Sequence, residues 1–182
     1  MSAGRGDPFL KNKKDGRNVF HYVATLDEEV AMVDRDSQGE EHLHSRKIKT
    51  LDTLVSYIGR ERRSGPASKL GGRKRIKQFL KEADFKGKTP LHTAVESLKF
   101  EIREVRKGRR PPQAYRWKDD KNFVKHIMKL YCELFSGKGM REILTKPDDV
   151  IATPLHYAAQ LITYPALLRL MLASGGDVNL QV

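Results

Sequence analysis

From Phe123 to Phe135 the apolar positions fall into two adjoining helical rows. Phe123, Ile127, Leu130 and Leu134 make one, and Val124, Met128, Tyr131 and Phe135 make the other. Lys121, Lys125 and Lys129 stand four apart on the opposite side, so the pattern predicts an amphipathic helix over 119–135. Ile48, Leu51, Leu54, Val55 and Ile58 form a similar stripe and predict a helix over 48–61. Ile76, Phe79, Leu80 and Ala83 predict another from Arg73. Val19, Phe20, Val23 and Ala24 predict a short helix between Asn18 and Leu26. Further helices are expected from Thr89 to about Val105, from Thr153 to Leu161 and from Pro165 to Ser174, with a helical turn over 140–144. No stretch alternates with period two, so no strand is expected.

Between these elements lie three polar or turn-rich segments, read as insertions over 34–47, 62–72 and 107–118. The first has little apolar content and reads as a loop. The second contains Gly65-Pro66 and Gly71-Gly72, which break helices, and the third contains Pro111-Pro112. Residues 1–15 are polar and read as a flexible N-terminal segment.

Thr-Pro-Leu-His-x-Ala occurs twice, at 89–94 and at 153–158. Thr89 and Thr153 can cap a helix start, and Pro90 and Pro154 follow at the first helical position, where a missing N–H costs nothing. Leu91 and Leu155 are expected in the space between layers. Ala94, Ala158 and Ala159 are small enough for close helix packing. Gly175 is placed to end the last helix as a left-handed cap. A blurred third copy, Arg17 to Val23, aligns on His21.

At these residues the chain resembles the ankyrin-repeat family, whose unit of about 33 residues is two antiparallel helices and a hairpin loop. The resemblance is carried by Asp84 to Glu96, by Ala152 to Asn179 and, more loosely, by Asp15 to Ala24. Gly16 and Gly87 stand two places before the first two caps, whereas the third copy has Ile151 there. The resemblance implies an all-α, ankyrin-type solenoid over 16–182, with repeats starting near 16, 87 and 151. It also implies that His92, His156 and more weakly His21 link neighbouring layers. By the same token the function is protein–protein interaction through hairpin tips and inner helices, with no catalysis.

The aligned histidines are 71 and 64 positions apart (92−21 and 156−92), about twice the family period. Too few helices are predicted between them to build a degenerate repeat as well, so each unit is read as carrying an insertion. The sequence stops where the family would begin another hairpin. That suggests the opening section of a larger protein, one version being the cytoplasmic arm of a membrane channel or signalling protein.

Charge widens the range of partners. Thirty-five Lys and Arg against 23 Asp and Glu give a formal charge of +12, which favours acidic partners. Arg60, Arg62, Arg63, Arg73, Lys74, Arg75 and Lys77, with Lys107, Arg109 and Arg110, form a candidate basic patch. Through it an acidic protein, nucleic acid or anionic lipid could be bound, an alternative to the repeat-based function. One cysteine, Cys132, allows no internal disulfide and is expected to pack within its helix. With no signal-like or membrane-spanning run, cytosol or nucleus is expected. His42 to His44 beside Glu40 and Glu41 is better read as solvated loop than as a metal site. Ser136-Gly137-Lys138-Gly139 lacks the spacing of a phosphate loop. No cofactor or metal is expected.

Overall fold

The computed structural model describes residues 11–26, 32–35, 41–44, 46–60, 68–108, 123–161, 164–177 and 179. Eight helices and one hairpin follow in order: α1 (Val19–Thr25), β1 (Met32–Arg35), β2 (Glu41–His44), α2 (Arg46–Arg60), α3 (Ser68–Lys81), α4 (Pro90–Arg106), α5 (Phe123–Leu134), α6 (Gly137–Thr145), α7 (Pro154–Ala159) and α8 (Pro165–Ala173). The fold is helical, as the stripes predict. The three motif helices stand in a row, α1 against α4 and α4 against α7. Partner helices cover the row, with α2 on α3 and α5, α5 on α4, and α8 on α7.

Each helix buries the face that its pattern marks. α5 buries Phe123, Val124, Ile127, Met128 and Tyr131, and leaves Lys125 and Lys129 exposed. The Tyr131 hydroxyl, deep in the core, donates to the Leu80 carbonyl at 2.8 Å, and burial pushes its phenol pKa up. Phe20, Leu80, Leu91, Ile127, Leu144 and Leu167 join the elements in one core.

Four expectations need correction. The segment read as loop over 34–47 contributes to an antiparallel hairpin, with Met32 opposite His44 and Arg35 opposite Glu41. Pairing over four residues satisfies backbone amides whatever the side-chain polarity, so it needs no apolar alternation. Gly71 and Gly72 lie inside α3 instead of ending an insertion. A methyl group at Gly72 would meet the Ile58 carbonyl oxygen at 2.7 Å, so glycine there permits the close α2–α3 approach. Cys132 is exposed. It lies seven positions after Lys125, on the polar face of α5. Residues 11–15 belong to the first turn of the stack, Asn12 accepting from Gly16 N at 2.8 Å.

One buried ion pair joins three helices. Lys47 Nζ lies 2.5 Å from Glu101 Oε1, with both side chains almost wholly enclosed. The same ammonium reaches Ser97 Oγ at 3.3 Å and sits 5.8 Å from the centre of the Phe123 ring. Thus the start of α2 is tied to α4 and α5.

Candidate functional site: a ladder of three turns

Asn18, Thr89 and Thr153 precede α1, α4 and α7, and each is the last residue of a tight turn. In the second turn Asp84 Oδ1 accepts from Lys86 N and Lys88 N, both at 2.9 Å. In the third Asp148 Oδ1 accepts from Val150 N at 3.1 Å and Ala152 N at 2.9 Å. The first divides the task, Asn12 Oδ1 taking Lys14 N and Asp15 Oδ1 taking Arg17 N. These aspartates were not singled out from sequence. The visible signal was an aspartate five places before each threonine cap.

Two residues before each cap the backbone turns left-handed: φ is 71° at Gly16, 70° at Gly87 and 63° at Ile151. The glycines are needed for space as well as for φ. A methyl group at Gly16 would meet the Phe85 ring at 2.5 Å, and one at Gly87 would meet Asp149 N at 2.9 Å. In each case the obstacle is the next turn. The turns are also joined directly, Phe85 N donating to Asp15 O at 2.9 Å and Asp149 N to Lys86 O at 3.1 Å.

The motif histidines make the second link. Thr89 N donates to His92 Nδ1 at 3.1 Å, and the Thr89 hydroxyl lies 2.8 Å from the same nitrogen. A nitrogen that accepts carries no proton, so the proton of the neutral ring sits on Nε2. From there His92 donates to the Ala152 carbonyl at 3.2 Å, and His21 Nε2 donates to Lys88 O at 2.8 Å. Each carbonyl immediately precedes the next cap, so consecutive motifs touch and no other unit stands between them.

Burial holds both ring pKa values down, that of His92 to about 4 against the opposing pull of the Ala152 carbonyl and Asp148. Neutral rings wedged between layers suit hydrogen bonding, not proton transfer. Burial also disfavours charge on Asp148. Even so, the Tyr157 hydroxyl at 2.7 Å and the Ala152 and Val150 amides hold its carboxyl below the usual range.

Leu91, Ala94 and Ala158 are buried, as is Leu155 at 7% exposure. Pro90 and Pro154 are buried at first helical positions. Gly175 has φ of 102°, and Gly176 N closes the cap on Met171 O at 3.0 Å. Two motif residues depart from expectation: His156 and Ala159 are exposed. The His156 ring accepts from Thr153 N at 3.1 Å, but its Nε2 meets no acceptor among the described residues. α7 is the last helix of the row, and the described residues place nothing on its far side.

The basic patch does not come together as one site among the described residues. Arg73, Lys74 and Arg75 are exposed on α3, and Lys107 is exposed just beyond α4. Arg73 donates to the Glu133 carbonyl at 2.8 Å, and Lys77 lies 5.5 Å from the Phe135 ring centre. The side chain of Arg60 and residues Arg62, Arg63, Arg109 and Arg110 lie outside the described set. Among the described residues no group of three His, Cys, Asp or Glu could hold a metal, and no helix is long and apolar enough to cross a membrane.

No family model, curated protein or solved structure matches the chain.

Proposed function

We propose that the chain is a non-enzymatic protein-interaction module of ankyrin type, engaging a macromolecular partner through its turn tips and the inner helices α1, α4 and α7. The observation that carries this reading is the histidine-to-carbonyl link, made twice between consecutive turns. It makes each turn the seat of the next and sets the tips in a row. A stack of this kind offers an extended surface suited to a macromolecule. The tips carry large exposed apolar side chains, Phe85 at 66%, Val150 at 73% and Ile151 at 56%. Exposed apolar groups gathered on polar turns mark contact surfaces better than the same groups scattered singly.

The test is site-specific photo-crosslinking from the tips and from a remote position. A photoreactive residue at Val150 or Phe85 should capture the same protein, and one at Arg169 on α8 should not. Val150→Asp should then weaken that purified partner by about tenfold, the scale of one contact residue. Capture from Arg169 alone, or affinity indifferent to Val150, would overturn the reading. Binding that persists at high salt would separate it from charge-driven attraction of nucleic acid or lipid.

A further inference from the structure

An open groove of about 870 Å³ lies between the end of α5, the start of α6 and the end of α8. Its floor is apolar, formed by Phe135, Met140 and Ala173, while Lys138 and Arg141 stand at its edge. Lys77 and Lys81 extend from α3 over the opposite side of Phe135, at 5.5 and 5.6 Å from the ring centre. Arg73 caps α5 beside them through the Glu133 carbonyl, and Lys146 donates to the Lys81 carbonyl at 3.1 Å.

The acidic groups nearby leave this charge largely unbalanced. Glu142 is engaged by Lys81 at 2.8 Å, and Lys81, Lys146 and Lys138 together hold its carboxyl below the usual range. Glu133 is exposed on α5, and Asp177 follows the end of α8 with Asn179 N on its Oδ1. Six cations therefore surround three carboxylates.

We infer that this groove docks an acidic peptide segment, with an apolar side chain of that segment on the Phe135–Met140 floor and its carboxylates between Lys138 and Arg141. Charge complementarity selects the sign of the partner, and the floor selects its class. Phe135 is only 7% exposed and lies beneath lysines, so it presents no face for a nucleic-acid base to stack on. A shallow groove open along its length fits an extended segment better than a small enclosed ligand. The inference rests on the interaction-module reading but places this contact away from the turn tips, so the two can fail separately.

Cys132, the single cysteine, lines the groove and reports on it directly. A short Asp/Glu-rich peptide carrying one leucine should slow maleimide alkylation of Cys132 at saturation. Its binding, read by fluorescence anisotropy, should fall by roughly tenfold in Lys138→Glu/Arg141→Glu, a pair of exposed residues whose exchange leaves circular dichroism unchanged. Replacing the leucine by serine should weaken binding further. The proposal is overturned if alkylation is not slowed, if the double variant binds as well as wild type, or if single-stranded RNA of equal charge binds more tightly and protects Cys132 better. Crosslinks from Val150 are indifferent to all three outcomes and report on the turn tips alone.

Discussion

Ile151 holds φ at 63°, the conformation that glycine takes at both equivalent positions. A β-branched residue there carries about 1–2 kcal/mol of local strain. Its side chain is 56% exposed, so little burial would be lost with it. Glycine costs part of that back through a freer unfolded chain, roughly 0.4–1 kcal/mol. Ile151→Gly should therefore stabilise the fold by about 1 kcal/mol in urea denaturation, and any loss of stability would show that the isoleucine is held by contacts of its own. His92 yields a pH prediction. An unfolded imidazole takes up its proton near pH 6.5, whereas His92 resists until about 4. Between those values the unfolded state binds more protons. The stability contributed by the neutral ring is thus full above 6.5, falls as pH falls and levels off below about 4, a loss on the order of 3 kcal/mol. His21 shifts the same way and adds to the slope. His92→Gln should be less stable at neutral pH but flatter across this window; an unchanged slope would remove His92 as its source.

At the scale of elements, helices were legible wherever burial followed the 3.6-residue period. The α5 stripe names its own core, and the same period places Cys132 beside Lys125 and Lys129. Gly72 was misread because the same residue that breaks an exposed helix also admits a close neighbour, and only the neighbour tells them apart. The hairpin was missed because backbone pairing leaves no mark on side chains. Of the turn ladder, the caps, prolines and histidines were legible, while the acceptors Lys88 O and Ala152 O were not, since any residue supplies a carbonyl. Lys47 was hidden for a related reason. Its partner is Glu101, 54 positions away, and nothing local distinguishes it from the surface lysines around it. Lys47→Met should cost about 3–5 kcal/mol, because the buried Glu101 carboxylate loses the charge that compensates it. Lys47→Met combined with Glu101→Leu should recover most of that loss, since an apolar pair of similar volume needs no compensation. If thermal melts place the double variant as low as the single one, the pair matters for some reason other than its charge.

Across the whole molecule, the ladder makes stability a property of neighbouring units. The first turn meets the second through Phe85 N and His21, and the second meets the third through Asp149 N and His92. α1 packs on α4 and α4 on α7. A loss at one end should therefore be felt most strongly by the adjacent unit and weaken with distance. Leu155 on α7, 7% exposed within the core, is the residue on which to test this. Leu155→Ala removes three methyl-equivalent carbons from a packed site and should cost roughly 2–5 kcal/mol. If units are coupled only to their neighbours, native-state hydrogen exchange should show α7 and α8 losing most of their protection, α4 losing less and α1 least. Uniform loss over α1, α4 and α7 would instead mean that the core acts as one cooperative block. A cost below about one kcal/mol would mean that Leu155 does not support the third unit at all. Graded loss carries a consequence for function: the third turn, with its exposed Val150 and strained Ile151, would then be the part of the tip row that opens most readily and adapts first to a bound partner.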